Sequence, residues 1–183
     1  EMVDLDREAT VALPLGILVE RRGDRIRVRK PEAPPEPFLS LPVPLPGTVA
    51  IPDLGFTLQV EMLENSPGLL EKFFEDKRAR RLDLEVMIDA HAAGRQLFLR
   101  CPREGEKFQP LGLDRAHRLR KYLAQRKVPR VLRASIPIVA APEHLVWVVG
   151  YDIDERVRIS GHTRLLYWMK AHWADPRWRP FPE

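Results

Sequence analysis

Prolines crowd one stretch of this chain and limit what that stretch can form. Each proline fixes φ and removes a backbone N–H donor, so neither an α-helix nor an interior β-strand can run through a dense group of them. Residues 31–46 are therefore predicted to be an extended connector or a sheet edge, although a proline-reading partner could also dock there. The seven prolines of this stretch are Pro31, Pro34, Pro35, Pro37, Pro42, Pro44 and Pro46.

A hairpin is predicted on each side of these prolines. Residues 17–19 and 26–28 are β-favouring runs around Arg22-Gly23-Asp24, which supplies turn chemistry. In residues 48–62, apolar residues alternate with polar ones before and after a turn at residues 52–55. Such alternation indicates that one face of the second hairpin is buried.

Helices are predicted over residues 67–80 and 116–127. The first has Ser66 as its N-cap and Pro67 at the first helical position, and Pro129 ends the second. Their apolar sides are formed by Leu69, Leu70, Phe73 and Phe74 in the first helix and by Leu119, Tyr122 and Leu123 in the second. Further strand patterns occur at residues 82–88, 96–100, 136–140, 145–151 and 157–159.

These elements predict an α+β fold that is rich in strands and has two small domains, since a chain of 183 residues has room for two. Residues 1–90 would hold the hairpins, the connector and the first helix. Residues 91–183 would form the second domain, with a tail from about residue 161. The tail carries Trp168, Trp173 and Trp178, which could stack on bases but are more simply explained by packing onto the domain.

Composition excludes several classes of protein. A hydrophobic share of 44% with 31% charged residues is typical of a globular chain, and no window approaches the eighteen apolar residues of a membrane span. Cys101 is the only cysteine, so a disulfide framework and a zinc module are both excluded. We expect a cytoplasmic protein without a metal site. Because Glu1 follows no initiator Met, we also expect a segment of a longer protein.

Positive charge is concentrated in one part of the sequence. Residues 95–133 hold twelve Lys and Arg against three Asp and Glu, a net charge of +9. The whole chain carries +4, so the remaining residues sum to −5. A solvated surface would be expected to mix the two signs, because uncompensated bases repel one another. The asymmetry therefore indicates a surface that binds a polyanion.

Catalysis within this chain finds little support in the sequence. No two histidines have the i, i+4 spacing of a helical metal pair, and no serine or cysteine lies in a recognisable nucleophile motif. We therefore assign no catalytic residue. The histidines that such a catalyst could use are His91, His117, His144, His162 and His172.

The basic segment carries a specific resemblance. Residues 103–112 read R-E-G-E-K-F-Q-P-L-G, which resembles the R-x-G-D-R-F-x-P-L-G opening of the C-terminal domain of tRNA(Ile)-lysidine synthetases. The resemblance covers residues 95–160. This sequence departs from the family's pattern at three places. Glu106 stands where the family has aspartate, residues 114–117 replace a more Gly- and Lys-rich loop, and Lys121 stands where an acid is common. Later landmarks follow in the family's order at Lys127-Val128-Pro129-Arg130, Arg133, Pro137, Trp147-Val148-Val149-Gly150 and Ile153-Asp154-Glu155-Arg156.

The resemblance implies a fold, an activity and partners. The C-terminal domain of these enzymes is a β/β/α sandwich shared with phenylalanyl-tRNA synthetase, and it holds the acceptor stem of isoleucine tRNA. The parent enzyme uses ATP to adenylate the wobble cytidine, and lysine then displaces AMP to give lysidine. The S-G-G-x-D-S loop of that chemistry has no counterpart beyond Ser160-Gly161. ATP and Mg would therefore belong to a missing N-terminal catalytic domain, the second partner; homodimerisation stays open.

The resemblance also implies which residues bind tRNA. An acceptor stem is an A-form duplex that proteins grip through phosphates and 2′-hydroxyls, for which arginine and lysine are suited. Phe108, Pro110, Leu111, Gly112, Trp147 and Gly150 are expected to be core and turn residues, and Arg156 is expected to pair with a neighbouring acid. The predicted tRNA contacts are Arg103, Lys107, Arg115, Arg118, Lys121, Arg126, Lys127, Arg130 and Arg133.

One alternative remains at this point. The chain could be a stand-alone module that binds proteins, or RNA in general, without a catalytic role. In that case the proline-rich stretch and the tryptophan-bearing tail would be its docking surfaces, and the basic segment would meet an acidic partner. Charge reversal at Arg118 and Lys121 separates the two hypotheses, because it should abolish RNA binding and leave docking through the tail intact.

Overall fold

The structure is a computed structural model that describes residues 9–12, 18–22, 25–29, 38–80, 84–128 and 130–174. The chain divides into two compact units, residues 1–35 and residues 36–183. In the first unit, strands β1 (Ala9–Ala12), β2 (Leu18–Arg22) and β3 (Arg25–Arg29) form an antiparallel sheet in that order. The first predicted hairpin is confirmed as β2 and β3, while Gly23 and Asp24 of its turn lie outside the described residues.

The second unit contains ten strands and three helices among its described residues. Its strands are β4 (Leu41–Val43), β5 (Gly47–Ile51), β6 (Phe56–Glu64), β7 (Glu85–Asp89), β8 (Leu97–Arg100), β9 (Lys107–Phe108), β10 (His117–Arg118), β11 (Ile138–Ala140), β12 (Leu145–Val148) and β13 (Leu165–Trp173). Its helices are α1 (Leu69–Arg80), α2 (Ala90–Ala93) and α3 (Leu119–Gln125), with short 3-10 turns at Pro52–Leu54, Arg130–Leu132 and Glu155–Val157.

Two antiparallel four-stranded sheets form the centre of this unit. Their orders are β12-β11-β8-β4 and β5-β6-β13-β7. Leu99 and Val139 of the first sheet share one fully buried core with Leu58 and Met169 of the second. The sheets therefore pack face to face over that core, as in a β-sandwich. An α+β fold that is rich in strands is confirmed.

Each sheet also has a helix on its outer side. Phe73 of α1 packs with Met87 and Leu166, whose side chains lie on the face of the second sheet that is turned away from the shared core. Leu119 and Leu123 of α3 pack in the same way on the outer face of the first sheet. The strands β7, β11 and β12 are covered on both sides, so apolar residues replace the simple alternation that a half-exposed strand shows.

The predicted division near residue 90 is not observed. β13 lies between β6 and β7, with Trp173 opposite Phe56 and Leu166 opposite Asp89. Strands from residues before 90 and after 160 thus share one hydrogen-bonded sheet, and the unit begins at residue 36. The predicted tail is likewise a central strand as far as Trp173, which is 3% exposed. Trp178 lies outside the described residues.

The proline-rich stretch was predicted to be either an extended connector or a sheet edge, and it contributes an edge strand. Within residues 38–46, β4 pairs only through its β8 side and contains Pro42 opposite Phe98. A proline is tolerated at this place because an edge strand can present its missing donor to solvent. Residues 31–37 lie outside the described part of the chain.

Helix α1 starts two residues later than predicted. Pro67 and Gly68 form a turn that is closed by the Leu69 N–H donating to the Ser66 carbonyl at 3.2 Å, and Gly68 has φ +79°. Proline followed by a left-handed glycine is the chemistry of a type II turn, which cannot begin an α-helix. The predicted apolar side is also incomplete, since Phe73 is buried but Phe74 is 48% exposed.

The remaining strand predictions fit closely. The hairpin of β5 and β6 has Phe56, Leu58 and Val60 on its buried face, as the alternation predicted. Strands β7, β8, β11 and β12 lie within or overlap the predicted runs. Residues 157–159 form no strand, since Val157 closes a 3-10 turn. In the described residues, no helix is long and apolar enough to cross a membrane.

Candidate nucleic-acid interface

A small layer of β9, β10 and α3 covers the outer face of the first sheet. β9 pairs with β10 in a two-stranded ladder, and the Leu119 N–H at the start of α3 donates to the Glu106 carbonyl at 2.8 Å. Residues 117 and 118 are therefore strand rather than the predicted first turn of a helix. The extended backbone of Arg118, with φ −63° and ψ 122°, ends that strand and caps α3.

The inner side of this layer is apolar. Phe108, Leu119, Tyr122 and Leu123 pack on Ile138 and its neighbours, and the rings of Phe108 and Tyr122 meet edge to face with centroids 4.8 Å apart. Burying a side chain of this size contributes about 2 kcal/mol. The predicted inward side of the helix is confirmed, and its polar residues are consequently directed outward.

The predicted cations lie on the elements of this layer or in the segments that adjoin them. All nine residues are exposed except Arg133, which is half-buried. Among the residues that the structure describes, only Arg126 of the nine forms an ion pair with an acid. The exposed members without such a pair are Arg103, Lys107, Arg115, Arg118, Lys121, Lys127 and Arg130.

Two of these cations face each other directly. Lys107 of β9 and Arg118 of β10 are partners in the antiparallel ladder. Side chains at opposite positions lie on the same face with Cβ atoms roughly 5 Å apart, where like charges repel. An anion between the two side chains would relieve that repulsion.

Arg130 and Arg133, which follow α3, lie near Arg120 of the helix. The half-buried Arg133 donates from Nε to the Val128 carbonyl at 2.8 Å, which fixes its fork. Burial lowers the pKa of Arg133, and the nearby charges of Arg120 and Arg130 lower it further. Within the described residues no acid pairs with any of the three. Arg120 is outside the predicted set, and the density of bases between residues 118 and 121 was the signal that pointed to it.

Arg126 differs from the other predicted contacts because it is neutralised. Its Nη2 donates to the Asp152 carboxylate at 2.7 Å, and its Nε donates to the Tyr122 hydroxyl at 3.1 Å. The Tyr122 hydroxyl donates to the same carboxylate oxygen at 2.5 Å. Burial and the Asp152 charge both raise the pKa of Tyr122, so the phenol stays protonated. Arg126 therefore ties α3 to the loop after β12.

Helix α3 ends in a Schellman motif at Lys127. The Val128 N–H donates to the Leu123 carbonyl and the Lys127 N–H donates to the Ala124 carbonyl, both at 3.0 Å. Lys127 has φ 59°, a conformation in which glycine is favoured and a side chain costs about 1 kcal/mol. The helix is thus closed before Pro129, which was predicted to end it and lies outside the described residues.

We expect Lys127→Gly to stabilise the protein and to weaken polyanion binding. The substitution relieves the left-handed backbone, so the free energy of unfolding should rise by up to about 1 kcal/mol in urea titrations. Lys121→Gly is the matched control, because the same change inside α3 should lower that free energy by about 1 kcal/mol. A fall in stability for Lys127→Gly would contradict the strain at this position.

A rigid turn lies beside the basic layer and is held by two acids. Asp154, which is fully buried, accepts from the Gln109 N–H at 3.0 Å and from Arg156 Nε and Nη2 at 2.7 and 2.8 Å. Glu155 accepts from the Gly112 N–H at 2.8 Å and pairs with Arg158. Burial opposes ionisation of Asp154, yet these hydrogen bonds leave its pKa lowered. The expected pairing of Arg156 with a neighbouring acid is confirmed.

The residues that were expected to lie in the core or in turns are found there. Phe108 is 1% exposed, Trp147 is fully buried and Pro110 is buried. Gly112 and Gly150 have φ +79° and +80°, which marks them as turn residues. Leu111 belongs to the same turn as Gly112 and is 49% exposed.

Glu106 organises the turn that precedes β9. Its carboxylate forms a two-pronged ion pair with Arg100, whose side chain is 9% exposed, and accepts from the Arg103 N–H at 3.0 Å. Arg100 Nη1 also donates to the Cys101 carbonyl at 3.0 Å. A carboxylate at this position therefore fixes the backbone from which Arg103 projects. Glu106 was not among the residues predicted to have a role, although its place in the motif of residues 103–112 was a signal.

The histidines are not brought together. They lie on α2, on β10, between β11 and β12, in the turn before β13, and on β13. Burial, and then the charge of Arg156, lower the pKa of His144. Among the described residues no three His, Cys, Asp or Glu side chains are arranged to hold a metal. Cys101 is buried, and this burial raises the pKa of its thiol to about 11.

Sequence comparisons match this chain to known proteins. Residues 97–169 match the family described as the TilS substrate C-terminal domain. The tRNA(Ile)-lysidine synthase of Dehalococcoides mccartyi is 36% identical over 60% of the chain, and that of Symbiobacterium thermophilum is 33% identical over 67%. The matches span 22% and 24% of those two relatives, so the chain covers less than a quarter of either.

Two solved structures have a fold similar to that of this chain. A crystal structure of a TilS C-terminal domain matches 75% of this chain and 99% of its own, with TM-score 0.59 and 18% identity. An N-terminal fragment of the phenylalanyl-tRNA synthetase β-subunit from Pyrococcus horikoshii matches 67% of this chain and 40% of its own, with TM-score 0.50 and 16% identity. Through residues 97–169, this chain belongs to the family of the TilS substrate C-terminal domain.

Proposed function

We propose that this chain is the tRNA-binding part of a tRNA(Ile)-lysidine synthase and that it grips the acceptor stem of isoleucine tRNA. The observation that carries the proposal is the set of exposed cations without acidic partners, among the described residues, on β9, β10 and α3 and in the segments that adjoin them. Family membership and the names of the relatives support tRNA as the polyanion.

The arrangement of the cations suits an A-form duplex. Its deep major groove hides the base edges, so proteins bind its phosphates and 2′-hydroxyls and recognise its shape. The Lys107 and Arg118 pair offers one phosphate site, and the group of Arg120, Arg130 and Arg133 offers another. Arg126 contributes less than its neighbours, because Asp152 already balances its charge.

In this proposal, the chemical reaction of the parent enzyme takes place outside this chain. Residues beyond this chain would bind ATP and Mg and would modify the wobble cytidine, since each relative is more than four times as long as its match. The role of this chain would be to hold the tRNA so that the anticodon reaches that N-terminal catalytic domain.

The proposal predicts a strong dependence of tRNA binding on salt. If about five phosphates are neutralised, the logarithm of the affinity should fall linearly with the logarithm of salt concentration, with a slope of about −4. Titrating the chain with an isoleucine tRNA transcript at several salt concentrations measures that slope. Affinity that does not change with salt would eliminate the phosphate contacts.

A further inference from the structure

A small cleft opens beside the turn that carries Arg103. Its volume is about 120 Å³, which is well below the roughly 300–1,000 Å³ of pockets for cofactors and drug-sized molecules. The cleft therefore has room for about one ring system and is too small for a duplex. Its lining consists of Ser40, Phe98, Arg100, Arg103, Ala141 and Pro142.

The lining offers a stacking surface. Phe98 lies on β8 between Pro42 of the edge strand and Ala140 of β11, and its side chain is half-buried. Pro142, in the connection after β11, is exposed at the same cleft. Every nucleobase has a π-face that stacks on an aromatic side chain whatever its sequence.

The two arginines of the cleft play different parts. Arg100 is buried and its charge is balanced by Glu106, so it offers N–H donors with little net charge. Arg103 is exposed and has no acidic partner among the described residues, so it carries the net positive charge of the cleft. Polar donors suit a base edge or a ribose, whereas an unbalanced guanidinium suits a phosphate.

We propose that this cleft binds one unpaired nucleotide of the RNA, with its base on Phe98 and its phosphate on Arg103. The inference rests on the proposed function, because the bound RNA must also lie on the neighbouring cations. A free mononucleotide is disfavoured as the ligand, because it would leave the exposed cations Lys107, Arg118 and Lys121 of β9, β10 and α3 without an anion. The nucleotide is therefore a single-stranded residue next to a duplex, such as one at the end of a stem.

The test compares two RNA hairpins that share one stem, one blunt and one with a few unpaired nucleotides at its 3′ end. The full chain should bind the extended hairpin roughly tenfold more tightly than the blunt one, because stacking of one base has an effect of that order. Equal affinity for the two would overturn the cleft proposal and leave duplex binding intact. Failure to bind either hairpin would overturn the proposed function itself.

Two variants locate the effect. Phe98→Leu keeps an apolar side chain in the sheet and should remove the preference for the extended hairpin without changing affinity for the blunt one. Ser40→Trp should do the same by filling the cleft from an exposed position before β4. Leu39→Trp adds the same bulk at the neighbouring residue, which is 85% exposed and does not line the cleft, and should keep the preference. Retention of the preference in Ser40→Trp would overturn the proposal.

A fluorescent base provides a second readout. With 2-aminopurine as the unpaired nucleotide, stacking in the cleft should change its emission on binding to the unsubstituted chain and to Leu39→Trp. The change should be absent with Ser40→Trp. Thermal unfolding of each variant shows whether the fold is kept. Misfolding would weaken binding to both hairpins equally, whereas loss of the cleft would weaken binding only to the extended hairpin.

Discussion

Reversing the charge of Arg118 and Lys121 together, as Arg118→Glu and Lys121→Glu, should weaken tRNA binding by at least about 100-fold. Each substitution removes a charge-assisted contact of about 1.5 kcal/mol and adds repulsion from the phosphates. Both side chains are exposed on the layer of β9, β10 and α3 and have no acidic partner among the described residues. Stability should change little, because neither side chain is buried. Affinity and unfolding are measured on the same samples.

The control for this double variant is Arg95→Glu with Arg164→Glu. Both residues are exposed, both lie outside the predicted contacts, and the net charge changes by the same amount. Long-range attraction would therefore fall equally in the two double variants, whereas only the first loses local contacts. If both double variants weakened tRNA binding equally, the effect would come from net charge and not from local contacts at the interface. Unchanged RNA binding by the first would favour the protein-interaction hypothesis.

Replacing Asp154 by alanine should lower the free energy of unfolding at neutral pH by about 3 kcal/mol. The carboxylate is fully buried and accepts hydrogen bonds from the Gln109 N–H, the Arg156 N–H and the Arg156 guanidinium. Removing the carboxylate leaves buried donors without an acceptor. This destabilises a protein more than replacing both partners of the pair by apolar groups. The Arg156 side chain is 49% exposed and can turn to water, so the lower part of the usual 3–5 kcal/mol range applies.

The same variant has a defined pH dependence. The pKa of Asp154 is lowered in the folded state, because the bonds from Arg156 and Gln109 outweigh the effect of burial. Its stabilising contribution is therefore complete above the ordinary aspartate pKa of about 3.9 and is lost as pH falls through the lower folded-state value. Urea titrations should show the difference between Asp154→Ala and the unsubstituted chain shrinking in that acidic range.

A matched substitution separates this effect from a general loss of negative charge. Glu143→Ala removes an exposed acid from the connection between β11 and β12. The free energy of unfolding should then change by less than about 0.5 kcal/mol, with no special dependence on acidic pH. A comparable loss for Glu143→Ala, or a difference for Asp154→Ala that persists at low pH, would contradict the role given to Asp154.

Much of the local structure was predictable because each signal lies within a short stretch. The hairpin of β5 and β6 joins neighbours in sequence, so its alternation showed both strands and the buried face. The inward side of α3 and its outward bases followed from helical spacing. The burial of Trp147 and the pairing of Arg156 with a neighbouring acid were also predicted from adjacent residues, and the structure identifies that acid as Asp154.

The candidate site was predicted as a set of residues but not as an arrangement. The sequence indicated where cations accumulate, and nearly all of them are exposed. It could not indicate that Asp152 neutralises Arg126, that Lys107 lies opposite Arg118, or that Arg120 approaches Arg133. Each of these depends on how separate segments pack, and segment packing leaves no periodic mark in a sequence.

By itself, the sequence determined the strand-rich α+β class, the exclusion of the proline-rich stretch from helices and from sheet interiors, and the charge of one segment, because propensity, missing donors and side-chain charge are properties of single residues and their neighbours. Only the tertiary structure decided that β13 completes a sheet with β6, about a hundred residues away, since alternation within one strand does not indicate which distant strand it pairs with. Tertiary packing likewise decided which cations remain unpaired, because a counter-charge is set by distance in space and not along the chain.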